Sequence, residues 1–314
     1  MTVKTNALGN TGIYVTELCF GVLPMGPSQL GMDPEEGARI IRQAVDAGVN
    51  FIDTAQGYRT YEHVRRALQG HTGQVHLATK SHAASYDEMG QAVIHALKEL
   101  RVDTIDMFHL HAARSTASVL DERAGALECL CNYRTKGLIR ALGISTHSVT
   151  TVRRAIENPD IDVIFPIINH AGLGILHGTR DEMVSAIADA AAAGKGVYAM
   201  KALGGGNLMD DVLGALNYVR ALPGVSSVAV GMVSMAELEV NLAVFEGRPV
   251  TQTVPRRQKK VLIQTVCKGC GTCVDTCPNY ALELVDGKAT VDPSRCITCG
   301  YCAPVCPLFA IRLV

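Results

Sequence analysis

The sequence is poor in aromatic residues and has no excess of charge. It contains no tryptophan among its 314 residues, and its formal net charge is -1. Because no dense basic face is present, a nucleic acid or another polyanionic partner is not expected. No charge-free run of about eighteen apolar residues occurs, and residues 1–8 lack the apolar core of a signal peptide. We therefore expect a soluble, cytoplasmic protein that does not enter a membrane.

Cysteine, in contrast, is abundant: the chain has 11, and eight of them fall in two copies of the spacing C-x2-C-x2-C-x3-C-P. The first copy places Cys267, Cys270, Cys273 and Cys277 before Pro278, and the second places Cys296, Cys299, Cys302 and Cys306 before Pro307. In runs of this spacing three thiolates converge on one iron-sulfur cubane, while the fourth cysteine ligates the other cluster. The repeat thus predicts two [4Fe-4S] clusters.

The crossed ligation assigns four cysteines to each cluster. The first cluster would be held by Cys267, Cys270, Cys273 and Cys306, and the second by Cys296, Cys299, Cys302 and Cys277. A zinc site needs only four ligands, and a disulfide framework belongs to small secreted domains, so both alternatives are less favoured. Residues 262–314 resemble bacterial-type two-cluster ferredoxins. The other cysteines, Cys19, Cys129 and Cys131, are interpreted as free thiols in a reducing compartment.

Upstream of this segment, short apolar runs alternate with amphipathic helical patterns. The predicted strands are residues 18–21, 50–53, 75–79, 104–110, 139–144, 162–168, 196–200 and 227–230. Helical spacing of apolar residues marks, among others, residues 34–47, 86–100, 119–135, 180–193 and 235–245. Eight strand–helix units predict an α/β fold, a parallel (β/α)8 TIM barrel. A doubly wound open sheet is the alternative, but no G-x-G-x-x-G follows the first strand.

These patterns divide the chain into a barrel over residues 1–250, a polar linker over 251–261 and a small α+β ferredoxin-like iron-sulfur domain over 262–314. Within the last part, residues 282–291 read as a hairpin around Asp286 and Gly287.

Polar side chains stand where the predicted barrel strands end, which is where such barrels carry their chemistry. Asp53 and Tyr58 follow the second strand, Lys80 ends the third, and His111 ends the fourth. An Asp53 carboxylate would keep Lys80 charged, and the ammonium would lower the pKa of the Tyr58 phenol, making it a general acid and base. His111 would orient a carbonyl oxygen and share its developing charge.

In these positions the chain resembles an aldo-keto reductase over nearly all of residues 1–246. The segment from Leu8 to Thr16 resembles the family's first residues, and Asp53, Tyr58, Lys80 and His111 fall on its catalytic tetrad. The resemblance implies reduction of an aldehyde or ketone, or oxidation of an alcohol, with a nicotinamide dinucleotide on the same barrel face.

The expected dinucleotide site is partly retained. Gly204 and Gly205 after the seventh strand and Ser234 after the eighth suit a pyrophosphate, since phosphate sites in these barrels follow those strands. The resemblance implies that Ser145 contacts the nicotinamide amide, that Asn241 lies near the adenine and that Asn169 belongs to a neighbouring motif.

Four other cofactor positions depart from the family. Phe165 replaces a glutamine, Met200 a stacking tyrosine, and Val233 and Glu237 replace the two cations that would bind a 2'-phosphate. Without those cations NADP is not favoured. No recognisable flavin motif is present, although a flavin commonly mediates between hydride and single-electron chemistry.

Histidines cluster at the same end of the barrel. His82, His111, His147 and His170 lie at or just after the ends of strands three to six. They could ligate a metal ion, but a polar substrate pocket is favoured because no carboxylate or cysteine is spaced to complete a metal site. His109 is expected one layer lower, in the barrel interior.

Three functional hypotheses follow. The protein is an oxidoreductase whose clusters exchange electrons with a redox partner, a ferredoxin-type carrier whose barrel is a docking scaffold, or a conventional NAD(P)H reductase with structural clusters. The complete tetrad favours an enzyme acting on a small carbonyl or alcohol.

Overall fold

The computed structural model describes residues 3–113, 115–251, 260–303, 305–308 and 310–313. Two short antiparallel strands come first, β1 (Thr5–Ala7) and β2 (Tyr14–Thr16). Eight parallel strands then close into a barrel in the order β10, β3, β4, β5, β6, β7, β8, β9. They are β3 (Leu18–Gly21), β4 (Phe51–Asp53), β5 (His76–Ser81), β6 (Ile105–Ala112), β7 (Ile139–Thr146), β8 (Val163–Pro166), β9 (Gly196–Met200) and β10 (Ser227–Gly231). The predicted TIM barrel is confirmed, since each predicted run overlaps one of these strands.

The helices pack outside the barrel strands. They are α1 (Pro34–Asp46), α2 (Tyr61–Leu68), α3 (Tyr86–Leu100), α4 (Val119–Glu122), α5 (Ala124–Thr135), α6 (Val149–Glu157), α7 (Arg180–Ala192), α8 (Val212–Arg220) and α9 (Met235–Glu246). Side-chain caps define several starts: Ser85 and Thr179 form capping boxes with the glutamates three residues on. The helix expected over residues 119–135 is interrupted at Arg123, whose guanidinium donates to the backbone oxygen of His111 at 3.0 Å.

The barrel interior is filled by side chains rather than left as a pore. Phe51, Met107 and Tyr198 are fully buried there, and Leu8 and Ile13 from the β1–β2 hairpin pack against the same cluster. Because this hairpin covers the amino-terminal end, the opposite end of the barrel is the one that presents a cavity. No helix among the described residues is long and apolar enough to cross a membrane.

The carboxyl-terminal segment forms two small antiparallel pairs around the cysteines. Strand β11 (Val261–Ile263) pairs with β14 (Ile311–Leu313), and β12 (Leu282–Val285) pairs with β13 (Lys288–Val291), which is the hairpin expected at Asp286 and Gly287. A short helix, α10 (Thr272–Thr276), lies inside the first cysteine repeat. The predicted linker includes residues 252–259, which lie outside the described residues, so the domain boundaries stay predictions.

The second cysteine repeat rests on the carboxyl-terminal end of the barrel. Thr298 donates its hydroxyl to the backbone oxygen of Gly205 at 2.8 Å, and Asn207 donates its amide to the oxygen of Cys296 at 3.3 Å. Ile297 and Cys299 are buried in the same apolar cluster as the barrel core. The glycine loop after β9 is therefore a docking surface for the cysteine domain.

Gly205 is required by this contact. Its φ is +70°, and a Cβ placed on it would lie 1.9 Å from the backbone oxygen of Ile297. Gly206 also has a positive φ, of +104°, but a Cβ there would meet nothing within 4 Å.

We predict that Gly205→Ala displaces residues 296–301 from the barrel, because a methyl group and the Ile297 oxygen cannot share that space. Amide hydrogen exchange in residues 296–301 should rise, whereas Gly206→Ala, which also adds a methyl group at a positive φ but meets no neighbour, should leave it close to the parent level. Equal exchange in the two variants would contradict a steric role for Gly205.

Candidate functional site

An ion pair between Asp53 and Lys80 anchors the carboxyl-terminal end of the barrel. Asp53 ends β4 and Lys80 lies in β5, so the parallel register of neighbouring strands brings them together. The Lys80 ammonium donates to both Asp53 carboxylate oxygens at 2.7 Å and to the Thr54 backbone oxygen at 2.8 Å. With Lys80 only 1% exposed, burial lowers the pKa of the ammonium and raises that of the Asp53 carboxyl, while their attraction opposes both shifts.

Tyr58 lies beside this pair without accepting a hydrogen bond from it. The Lys80 nitrogen is 5.0 Å from the centre of the Tyr58 ring, and its donors point to Asp53 and Thr54. Burial raises the pKa of Tyr58 well above its ordinary value, and the nearby Tyr301 and Asp53 raise it further. The expectation that Lys80 lowers the Tyr58 pKa towards neutrality is therefore wrong. The phenol holds its proton at neutral pH.

His111 faces Tyr58 from the end of β6. The two rings meet edge to face with their centres 6.0 Å apart, and His111 is 2% exposed. Burial lowers the pKa of His111 well below its ordinary value, with smaller contributions from His82 and Lys80. The imidazole is therefore neutral, and a neutral ring offers one N–H donor and one acceptor nitrogen.

A residue of the cysteine domain completes this group. The Tyr301 hydroxyl lies 3.4 Å from Nε2 of His111, and it also interacts with the hydroxyl of Tyr58. Sequence reasoning missed Tyr301 because it stands between Cys299 and Cys302, where the cysteine spacing suggested only cluster ligation.

Two further residues were missed among the barrel strands. Tyr198, in β9, donates its hydroxyl to Asp53 at 3.0 Å and lies 2.8 Å from Nε2 of His109, which confirms a buried interior position for His109. Lys201 directly follows β9 and lines the cavity. Burial lowers the pKa of the Lys201 ammonium, and the nearby Cys299 thiolate opposes this shift to a smaller extent. The strand-end rule that selected Lys80 could also have selected Lys201.

A cavity of about 200 Å³, partly open to solvent, extends from Tyr58 along the loops after β9 and β10. The wall is mostly apolar and includes Phe165, Met200, Gly205, Val233 and Asn241. Thr298 and Tyr301 line it from the cysteine domain. The cavity is thus built jointly by the barrel and the cysteine domain.

The predicted cofactor residues are distributed unevenly around this cavity. Gly205 and Asn241 line it, and Oδ1 of Asn241 is buried without a hydrogen-bond partner among the described residues. Ser234 caps α9 by accepting from Glu237 N. Asn169 uses its amide within its own loop, donating to Leu173 O and accepting from Leu173 N, both at 2.9 Å. Ser145 is buried in β7, and Gly204 is buried in the glycine loop after β9.

The strand-end histidines do not form one cluster. His82 stacks on His111 with ring centres 4.1 Å apart, burial lowers the pKa of His147 to about 3, and His170 is exposed. Within the described residues no three His, Cys, Asp or Glu side chains are grouped closely enough to hold a single metal ion.

The cysteines separate into two sets, each lining its own small cavity. One cavity is lined by Cys267, Cys270, Cys273 and Cys306, and the other is lined by Cys277, Cys296, Cys299 and Cys302. In both sets the fourth cysteine comes from the other repeat, as the crossed scheme expects. Thiol donors around an enclosed apolar space suit an iron-sulfur cluster.

We predict that Tyr198→Phe destabilises the barrel by about 1–3 kcal/mol, because a buried carboxylate and imidazole each lose a hydrogen bond. The expected result is a lower apparent melting temperature with iron content unchanged. Tyr14→Phe, at a side chain that is 62% exposed, is the matched control. A Tyr198→Phe melting temperature equal to that of the control would contradict the role assigned to this hydroxyl.

Several curated proteins are similar to this chain. The Escherichia coli methylglyoxal reductase DkgA is 23% identical over 178 residues, which is 54% of this chain and 64% of the relative. The match therefore spans less than two thirds of that relative. The Arabidopsis thaliana L-galactose dehydrogenase is 24% identical over 293 residues, covering 77% of this chain and 88% of the relative.

Solved structures agree with the barrel. A putative aldo-keto reductase from Pseudomonas aeruginosa superposes with a TM-score of 0.68 at 27% identity, covering 77% of this chain and 95% of that one. The holo form of the Bacillus halodurans aldo-keto reductase AKR11C1 gives a TM-score of 0.65 at 22% identity, over 79% of this chain and 93% of that one. The second likeness is one of fold.

Two family models match the chain in succession. Residues 266–310 match a 4Fe-4S dicluster domain, in agreement with the resemblance to ferredoxins, and residues 17–213 match the aldo/keto reductase family. The chain belongs to the aldo/keto reductase family of oxidoreductases and carries a 4Fe-4S domain after its barrel.

Proposed function

We propose that this protein reduces an aldehyde or ketone, or oxidises the corresponding alcohol, with Tyr58 as general acid and base. We also propose that it holds two [4Fe-4S] clusters, which pass electrons to or from a redox partner. The observation that carries the proposal is the grouping of Asp53, Tyr58, Lys80 and His111: Asp53 and Tyr58 line the cavity, Lys80 pairs with Asp53, and His111 faces Tyr58.

The raised pKa of Tyr58 suits an acid that delivers a proton to a carbonyl oxygen. The neutral His111 imidazole can hold the same oxygen, because a single N–H aimed at developing negative charge stabilises it strongly in a buried site. Lys80 and Asp53 fix the polar end of the cavity and supply a cation 5.0 Å from the Tyr58 ring. These residues therefore serve proton transfer and charge stabilisation.

A nicotinamide dinucleotide would supply the hydride in such a reaction. Asn241 supports its binding, because its unpartnered Oδ1, in a side chain only 5% exposed, offers an acceptor to an amino group such as that of adenine. Glu237, which also lines this end, accepts from Val233 N at 2.7 Å. A carboxylate at that place disfavours a 2'-phosphate, so NAD is preferred to NADP in this proposal.

The two cysteine sets lie at different depths, which supports electron transfer between the protein surface and the cavity. Cys270 is exposed, whereas Cys299 is buried in the apolar cluster of the barrel and lies within electrostatic reach of Tyr58 and Lys201. A cluster on Cys270 would face a partner protein, and a cluster on Cys299 would face the cavity.

Similar proteins are named for activities on small oxygenated carbonyls or sugars: methylglyoxal, L-galactose and 6-dehydroglucose. We infer a small carbonyl or alcohol for this chain as well. A carrier with the barrel as a mere scaffold is less favoured because the tetrad and a cavity are both present.

Coupling between hydride and cluster chemistry has a direct spectroscopic test. After anaerobic purification and analysis of iron, sulfide, flavin and dinucleotide, NADH is added to the oxidised protein. Bleaching of the broad cluster absorption near about 400 nm supports coupling. Unchanged absorption together with normal carbonyl turnover would leave the clusters structural.

We predict that Tyr58→Phe lowers carbonyl reduction by at least about 100-fold, because general acid catalysis is worth that much or more. Cluster content should not change. Reduction by the parent protein should be insensitive to pH through neutrality and fall only above the ordinary phenol pKa of about 10, since the pKa of Tyr58 is raised. Tyr14→Phe is the control, and parent-like turnover in Tyr58→Phe would exclude proton transfer by this residue.

We predict that Cys270→Ala and Cys299→Ala each remove about half of roughly eight iron atoms per chain, because each cubane loses one of its four ligands. Carbonyl turnover with NADH should fall much further in Cys299→Ala, since Cys299 packs against the barrel beside the cavity. Unchanged iron in either variant would refute that ligand assignment. Equal losses of turnover would refute the inner position of the second cluster.

A further inference from the structure

Tyr301 brings a phenol from the cysteine domain into the tetrad. It lies 3.4 Å from Nε2 of His111, with the two rings edge to face at 6.1 Å, and its hydroxyl interacts with that of Tyr58. Three structural features place it there: the Thr298 hydrogen bond to Gly205, the Gln29 hydrogen bond to Cys299 O at 3.3 Å, and the buried Ile297.

The hydroxyl oxygen of Tyr301, which contacts both the Tyr58 phenol and the His111 imidazole, occupies the position that a substrate oxygen would need. A carbonyl must reach the Tyr58 hydroxyl to receive its proton and the His111 ring to have its charge stabilised. Both groups now contact the oxygen of Tyr301. A substrate and Tyr301 therefore compete for the same two partners.

We propose that Tyr301 is a ligand-selecting residue of this site: its hydroxyl stands in for a substrate oxygen and is displaced when a carbonyl binds. The proposal rests on the roles proposed above for Tyr58 and His111. Because the displaced residue belongs to the repeat that would hold the inner cluster, it makes the position of the cysteine domain part of substrate binding.

The contacts are suited to exchange. At 3.4 Å the hydrogen bond to His111 is long, since O–H donors normally lie nearer about 2.8 Å from their acceptors. Tyr301 also lines the main cavity, so its ring has adjacent space on that side. A ligand with one carbonyl acceptor and a compact apolar body would restore both hydrogen bonds and contact Phe165 and Met200.

The same contacts predict which ligands bind more tightly than others. Burying the full charge of a carboxylate against the mostly apolar wall of this cavity is costly, and a bulky group at the carbonyl carbon would meet the Tyr301 ring. Aldehydes with a flat apolar substituent should bind better than branched ketones of equal polarity.

The test uses the full iron-loaded protein and benzamide, a flat probe whose carbonyl is not reduced by a nicotinamide. Tyr301→Phe keeps the ring and removes the competing hydroxyl. We expect benzamide affinity, measured by calorimetry, to increase about fivefold, the worth of roughly one net hydrogen bond. For an aldehyde substrate, KM should fall by a similar factor with iron per chain unchanged.

Two further variants define the outcome. Tyr280→Phe makes the same change at a side chain 42% exposed in the cysteine domain and should leave benzamide affinity at the parent value. Thr298→Val removes the hydrogen bond to Gly205 and should also tighten benzamide, because Tyr301 then leaves the site more readily.

Affinity that is unchanged or weaker in Tyr301→Phe would overturn the proposal, as would a fall in kcat at constant KM, which indicates an assisting proton donor. Tighter benzamide binding without any aldehyde turnover supports the proposal for Tyr301 while refuting the reductase function. If aldehyde is turned over but benzamide affinity is equal in the parent and in Tyr301→Phe, the reductase function is supported and the proposal for Tyr301 is refuted.

Discussion

The close approach of residues 296–301 to the loop after β9 is the contact on which the rest of the molecule depends. At Gly205 the two backbones are so near that a side-chain carbon has no room, and Thr298 adds a hydrogen bond to the same residue. This contact brings one of the two cysteine sets against the barrel and leaves Cys270, of the other set, exposed. It also places Tyr301 at the tetrad. Because of this one interface, the exposed cysteine set lies towards the surface and the buried set lies towards the cavity.

Inside the barrel, the buried ion pair between Asp53 and Lys80 is the interaction around which the candidate site is arranged. Taking Asp53 and Lys80 out of water is costly, and such a pair persists only where further hydrogen bonds satisfy it. Thr54 and Tyr198 provide those bonds, at 2.8 Å and 3.0 Å. Since all three Lys80 donors have acceptors in Asp53 and Thr54, none of them is left for the Tyr58 oxygen. The phenol is consequently kept protonated by burial, which suits it to giving a proton.

The glycine loop after β9 could contact either a pyrophosphate or the cysteine domain, and in the structure it contacts the cysteine domain. Gly205 lines the cavity where a pyrophosphate would be expected, yet its carbonyl and its open side contact the cysteine domain. Together with Phe165 and Met200, this loop distinguishes the cavity from a dinucleotide site built for tight binding. The proposed sharing of this cavity between a hydride donor and an inner cluster would account for both features.

The sequence by itself determined the barrel, because strand and helix periodicities are local and short apolar runs alternate with helical patterns along the chain. The cysteine spacing also predicted the two sets of cysteines that line separate cavities, and strand-end positions identified Asp53, Tyr58, Lys80 and His111 as candidate site residues. The break at Arg123 was not predicted, because it arises from a bond to His111 O on another element. Only the tertiary structure decided that Tyr301 meets His111 across 190 positions, that Lys201 lies near Cys299, and that the Tyr58 pKa rises rather than falls. These outcomes depend on burial and on distances between domains, which no local pattern of residues encodes.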